Sequence, residues 1–299
     1  MKNFEQLLDS IKNVNRKRLA VVAADEHAIE AAIEGRNAGF IYPIFIGDIS
    51  SMESILNKLD KTGEYELVEA SSPEEAASMA VQMVREEKVD MILKGHIDTA
   101  KLLKPVVNKD TGIGTGATIS HMALLECPAY HKLFIITDGG MVTYPTLEQK
   151  KSILESAVKV MKTLGVEKPK VACLAAVEKP NPKLPETLDG QALAEMAQSG
   201  EIKDCVVAGP ISFDLAFNKE AALLKEYESE VAGDPDIMLV PDFVCGNILS
   251  KSIIHAGKGR MAGLIVGAKV PILLTSRASS AEEKYLSLAF AVALEQGAC

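Results

Sequence analysis

Short apolar runs rich in valine and isoleucine recur along this chain between longer segments whose apolar residues return with helical period. That is the pattern of a parallel sheet whose strands are joined by crossover helices. The runs predict strands at Leu19–Ala24, Pro43–Ile46, Val89–Leu93, Leu133–Thr137, Val171–Val177, Cys205–Ala208 and Ile237–Val240. A helix opens near Asp25, and Ser72-Pro73-Glu74-Glu75 reads as a capping box with proline at the first helical position. Ala76, Met79, Ala80, Met83 and Val84 form the expected buried stripe of that second helix. The clearest amphipathic helix carries Leu147, Ile153, Leu154, Ala157, Val158, Val160, Met161 and Leu164 and stops at Gly165. Near the end the rhythm changes: Gly263–Val266 and Pro271–Leu274 lie too close for a crossover, which predicts an antiparallel pair. A last helix follows from Ala281 to Gln296, with Gly297 placed to end it.

The fold class is therefore α/β throughout. At 299 residues and 47% hydrophobic content the chain fits two domains of about 150 residues each. A net charge of −9 argues against a general nucleic-acid binder or a protein that sits on anionic membranes. No apolar run approaches the roughly 20 residues that span a bilayer, and the residues from Met1 to Val22 interleave charges with apolar positions. Cys127, Cys173, Cys205, Cys245 and Cys299 are odd in number and form no C-x-x-C pair, as expected of reduced thiols in a cytoplasmic protein. The five histidines show no metal-ligand spacing, so no metal is expected.

Charge is unevenly placed. Between Phe243 and Ala281 there is no Asp or Glu, whereas Lys251, Lys258, Arg260, Lys269 and Arg277 give +5 and leave −14 for the rest. Gly246, Gly257, Gly259, Gly263 and Gly267 share the window. Basic side chains with glycines suit a polyanionic small molecule, because backbone N–H groups can approach phosphate oxygens; the plainer alternative is a solvated basic face. Within the window, Thr275-Ser276-Arg277 falls at the C-terminal end of a predicted strand, where open α/β sheets place ligands. A hydroxyl beside a guanidinium there can grip an anion and steady a developing charge. Glu282 and Glu283 follow and offer a base, although Ser280-Ala281-Glu282-Glu283 is equally an ordinary capping box. Lys109–Gly116 is glycine-rich but fits neither a P-loop nor a dinucleotide fingerprint, and a turn before a helix explains it as well. Asp138-Gly139-Gly140 and Gly209-Pro210 with Asp214 close two strands, while Lys94 and His96 follow another, where a lone histidine is usually a satisfied hydrogen-bonding residue. Neither a serine elbow nor a paired cysteine and histidine points to covalent catalysis.

An ordered set of motifs then resembles the phosphate acetyl/butyryltransferase family, over about Leu19 to the end: Asn181-Pro182-Lys183-Leu184-Pro185, Gly209-Pro210-Ile211-Ser212-Phe213-Asp214, Val231-Ala232-Gly233-Asp234, Gly246-Asn247-Ile248, Val266-Gly267-Ala268-Lys269 and Leu274-Thr275-Ser276-Arg277. Thr146-Leu147-Glu148-Gln149-Lys150-Lys151 and the absence of extra modules bring it nearest the butyryl branch. The resemblance implies two α/β domains with a cleft between them, like isocitrate and isopropylmalate dehydrogenases: residues 1–111 with 266–299, and residues 112–265. It implies reversible transfer of an acyl group, butanoyl by branch, between coenzyme A and phosphate, with both as substrates and no cofactor. It also implies a homo-oligomer whose metabolic partner is an acyl kinase. By position, Ser276 matches the serine that contacts the CoA sulfur and Arg277 the arginine that stabilises charge at the reacting carbonyl. Acetyl-branch spacing makes Glu283 the base, butyryl-branch likeness Glu282. Lys104 stands where the acetyl branch has an arginine, and Gly114 where butyryl-type sequences commonly have one. Thr115, Gly116, Asn247, Lys251, Arg260 and Lys269 complete the expected CoA and phosphate contacts. Competing readings are acetyl as the main acyl group, a metal- and NAD-dependent hydroxy-acid dehydrogenase of the same superfold, and a non-catalytic CoA-binding protein. None of the fourteen aspartates has another four positions away, which disfavours the dehydrogenase.

Overall fold

The computed structural model describes residues 1–59, 62–274 and 280–296. The chain forms two compact units, one of Glu5–Gly116 with Ala262–Cys299 (the terminal unit) and one of Met1–Phe4 with Ala117–Met261 (the central unit). After a short helix α1 (Phe4–Ser10), the terminal unit runs β1 (Lys17–Val22), α2 (Glu26–Asn37), β2 (Ile41–Gly47), α3 (Ile49–Leu59), β3 (Glu66–Glu69), α4 (Pro73–Arg85), β4 (Met91–Lys94) and α5 (Thr99–Val106). The central unit follows with β5 (Ser120–Glu126), β6 (Phe134–Thr137), α6 (Leu147–Thr163), β7 (Lys170–Leu174), α7 (Pro185–Gln198), β8 (Val206–Ile211), α8 (Phe213–Phe217), α9 (Lys219–Leu224), β9 (Ile237–Leu239) and α10 (Phe243–His255). Strand β10 (Arg260–Val266) leads back to the terminal unit, which closes with β11 (Ile272–Leu273) and α11 (Ala281–Gln296).

In the terminal unit the strands lie in the order β3-β2-β1-β4-β11-β10. They are parallel except for β10, which meets β11 antiparallel through Ile265 and Ile272, as the short connection requires. Helix α11 is buried on nearly all sides, from Leu286 to Ala293, against α2 and β11. Each fully buried leucine or phenylalanine there contributes about 1.5–3 kcal/mol. In the central unit the order is β5-β6-β9-β7-β8, parallel but for β5 against β6. Its core joins Phe134, Ile136, Ile211, Leu215 and Met238, with Tyr130 and Phe213 stacked on Phe217. No described helix is long and apolar enough to cross a membrane.

Three local expectations are corrected. The Ser72 hydroxyl does accept from the Glu75 N–H at 3.2 Å, but the Glu75 carboxylate turns to the N–H and hydroxyl of Ser71, so the box is half-formed. The buried stripe of α4 is Ala76, Ala77, Ala80, Val81 and Val84, with Met79 and Met83 only half-buried: small residues let the helix approach the sheet and turn the longer methionines to its edge. The glycine-rich segment precedes strand β5 rather than a helix, so no helix N-terminus stands behind it. Strand β5 itself escaped the sequence reading.

A charge cluster anchors the lower end of the central sheet. Asp234 accepts from Lys132, Lys170 and His131 at 2.8, 2.6 and 2.9 Å, and Asp236 from Lys132 at 2.6 Å. Partial burial alone would raise the Asp234 pKa, but the bonds from Lys132, Lys170 and His131 outweigh it and hold the carboxyl well below its ordinary range. A depressed folded-state pKa gives stability that is present above the unfolded value and lost as pH falls. Asp234→Asn is therefore expected to cost roughly 1 kcal/mol at neutral pH, after allowing for solvent screening of a group that is 37% exposed. The difference from wild type should begin to shrink as pH falls below the ordinary carboxyl value of about 3.9 and close only as the depressed folded-state value is approached, as urea titrations at several pH values would record.

Candidate functional site

From β1 the chain builds β2 and β3 to one side of the terminal sheet, then returns to build β4 on the other. The loops leaving β1 and β4 part at their C-terminal ends, which is where open α/β sheets leave a crevice for ligands. That crevice is a cavity of about 250 Å³. Asp25 after β1 and His27 in the first turn of α2 contribute to its wall, with Lys94 at the end of β4, Gly95, His96 and Asp98 after it, and Lys101 and Lys284 from α5 and α11.

Four helix N-terminal turns meet this wall. Asp25 caps α2 by accepting from the Ala28 N–H at 2.9 Å, Pro73 opens α4, Asp98 stands at the N-cap of α5, and Lys284 lies in the first turn of α11. Each such end carries a partial positive charge and N–H groups without intrahelical partners. The cations add to it. Lys94 Nζ donates to the Gly95 carbonyl at 3.2 Å, and Lys101 pairs with Glu74 at 2.7 Å, a bond that raises the lysine pKa and lowers that of the carboxyl. The His96 ring is exposed, with its backbone N–H tied to the Ala23 carbonyl at 2.7 Å. Lys284 is only 9% exposed. Three lysines thus face two carboxylates, Asp25 and Asp98, in this wall.

Gly95 allows the loops to close. Its N–H donates to the Val22 carbonyl at 2.9 Å, and a side-chain carbon placed on it would overlap the carbonyl oxygen of Ala23. Gly95→Ala is expected to destabilise by at least the 1–3 kcal/mol typical of overpacking and to spread the cavity floor, measurable as a lower urea midpoint with an unchanged slope.

The expected residues fall in several places. Ser276 and Arg277 lie outside the described residues, in the segment joining β11 to α11. Glu282 is exposed and Glu283 half-buried in the first turn of α11, where the Glu283 N–H donates to the Ser280 hydroxyl at 3.1 Å. A bridge between Gly114 and Ala268 brings Thr115, Gly116 and Lys269 together: the Thr115 hydroxyl donates to the Gly267 carbonyl at 2.9 Å, and the Lys269 N–H to that of Ile113 at 2.8 Å, leaving an exposed lysine ammonium beside an exposed glycine. Lys104 is exposed on α5 and is not part of the cavity wall. Asn247 and Lys251 sit one turn apart on α10 in the central unit, Asn247 donating to the Gly139 carbonyl at 3.4 Å. Arg260 is committed to structure: it pairs with Glu126 at 3.3 Å and lies 5.5 Å over the Phe4 ring.

The Asp138-Gly139-Gly140 motif is an anchor. The Asp138 carboxylate accepts from the N–H groups of His121, Gly140, Met141 and Val142, and burial lowers the pKa of His121 beside it. Burial pushes the Cys173 thiol up to about 12 and Cys205 to about 11, away from nucleophilic use. Among the described residues no group of three or more His, Cys, Asp or Glu could hold a metal ion. Sequence reading passed over His27 and Lys284 and set Lys94 and His96 aside. Only the strand order reveals that the loops of β1 and β4 face one crevice, though a lysine in the first turn of α11 was a visible signal, since it opposes the helix dipole.

A family model described as phosphate acetyl/butaryl transferase matches residues 64–292. The chain is 39% identical over 293 residues to a phosphate butyryltransferase of Clostridium acetobutylicum, covering 97% of each chain. It is 32% identical to the crystal structure of a branched-chain phosphotransacylase from Enterococcus faecalis V583, at a TM-score of 0.82 over 93% of this chain and 99% of that one. At 12% identity and a TM-score of 0.54, over 95% of this chain and 98% of the other, it shares the fold alone with a 4-hydroxythreonine-4-phosphate dehydrogenase from Burkholderia phymatum.

Proposed function

Since the chain belongs to the phosphate acetyl/butaryl transferase family, we propose that it moves a butanoyl group between coenzyme A and inorganic phosphate by direct attack in a ternary complex. It is a phosphate acyltransferase; butanoyl as the preferred group is the finer step. That step is supported by the near-complete match to a phosphate butyryltransferase, at 97% of both chains. The arrangement that suits the reaction is the anion cavity at the switch point of the terminal sheet, directly beneath the first turn of α11. A two-domain architecture related to the isocitrate and isopropylmalate dehydrogenases accompanies this reading.

In the direction that consumes acyl phosphate and forms acyl-CoA, a carboxylate of α11 takes the proton of the CoA thiol, the sulfur bonds to the carbonyl carbon, and the carbon–oxygen bond breaks to release phosphate. Arg277 and the Ser276 hydroxyl hold the oxyanion between these steps. Thr115, Gly116 and Lys269, joined by the Gly114–Ala268 bridge, present a glycine backbone and a cation to a phosphate of CoA. No covalent intermediate on the protein is needed, in keeping with cysteines whose thiols are held protonated.

The test follows free thiol on mixing the protein with butanoyl-CoA, with and without inorganic phosphate, and again with acetyl-CoA. Release that needs phosphate and runs faster with butanoyl-CoA is expected. Release without phosphate would make the protein a thioesterase, and faster release from acetyl-CoA would move the acyl assignment to the acetyl branch.

A further inference from the structure

We infer that Lys284 is the cationic anchor for the reacting phosphate, the group that attacks acyl-CoA in one direction and leaves in the other; this rests on the acyl-transfer reading above. Lysine at this position is costly for folding. It lies in the first turn of α11, where the helix end is already positive, and it is 9% exposed in a wall that includes further cations. Its side chain makes no hydrogen bond or ion pair with any described residue. A buried ammonium normally finds a carboxylate or changes its ionisation. Here it lines the cavity, where Asp25 is engaged by the Ala28 N–H and neither Asp25 nor Asp98 pairs with it, so the compensating charge is left to a ligand.

The neighbouring cations are partly occupied by protein. Lys101 is paired with Glu74, and Lys94 donates to the Gly95 carbonyl. Lys284 therefore has the strongest demand for an anion among the cavity residues whose contacts are described. Phosphate of two kinds enters the reaction, and they sit far apart: coenzyme A carries its own at the far end of the pantetheine arm from its thiol. The cavity, at about 250 Å³, has room for phosphate with a short acyl chain. Lys284 also follows Glu282 and Glu283 in the same helical turn, one residue beyond the carboxylates that serve as base. A phosphate held there is at the reacting centre. A lysine suits a group that must turn during the reaction, because its ammonium acts as a point charge with three donors and no fixed fork.

Lys284→Met and Lys284→Arg test the assignment. For Lys284→Met the KM for inorganic phosphate should rise at least tenfold while the KM for butanoyl-CoA stays within twofold, and Lys284→Arg should recover most of the loss. Inorganic phosphate should raise the Tm of wild type by mass action and fail to raise that of Lys284→Met, whose phosphate-free Tm should equal or exceed wild type. An unchanged phosphate KM, or a rise confined to the acyl-CoA KM, would overturn the proposal. If wild type showed no acyl transfer, the function would fall while the anion site stayed decidable, since equal phosphate shifts in wild type and Lys284→Met would overturn it alone. Should Lys284→Met not fold, Lys284→Gln takes its place under the same criteria.

Discussion

Arg277→Gln is expected to lower turnover at least a hundredfold while leaving the urea midpoint at its wild-type value. Arg277 belongs to the segment between the end of β11, at Leu273, and the start of α11, at Ala281. Strand β11 runs parallel to β4, so its chain emerges on the side of the sheet where the cavity lies. Removing one donor that stabilises a developing oxyanion typically costs about 2.7–4 kcal/mol, or 10² to 10³ in kcat. Glutamine keeps hydrogen-bonding capacity without the charge, which separates charge stabilisation from simple contact. The measurement is kcat with saturating butanoyl-CoA and phosphate, beside a denaturant titration. Activity within a few fold of wild type would reject the assigned role.

What the sequence revealed and what it hid follow from the range of the forces concerned. Period and stop signals are local, so α6, with its stripe from Leu147 and its stop at Gly165, was legible to within a residue or two. So was the antiparallel turn of β10 and β11, because the number of residues between Val266 and Ile272 rules out a crossover. Strand β5 was not: its Leu124 and Leu125 are both buried, as in a strand covered on both faces, and so short an apolar run carries no period that marks it. The cavity was hidden for another reason. His27 and His96 are 69 positions apart in the chain, and only the order β2-β1-β4 places their loops over the same strand ends. Composition likewise does not show that Arg260 pairs with Glu126 and lies over the face of Phe4.

Glu283→Gln and Glu282→Gln are expected to part sharply. The two carboxylates share a helical turn, but Glu282 is exposed and Glu283 half-buried beside the cavity-lining Lys284. A base works best where water does not compete for the proton, and a positioned one contributes about 10² to 10⁴. Glu283→Gln should lose that factor at neutral pH, and Glu282→Gln should stay within a few fold. The pH profile makes the role specific. A free thiol with a pKa of about 8.5 is mostly protonated at pH 7 and gains thiolate about tenfold per pH unit until it ionises. Without its base, Glu283→Gln should show kcat/KM for CoA rising with that slope above pH 7, narrowing the gap to wild type. A capping residue lost from α11 would instead lower stability and leave the slope unchanged, because the hydroxyl of Ser280 and the N–H of Glu283 still close the helix end. Equal small losses in both variants, with parallel pH profiles, would return both glutamates to the cap.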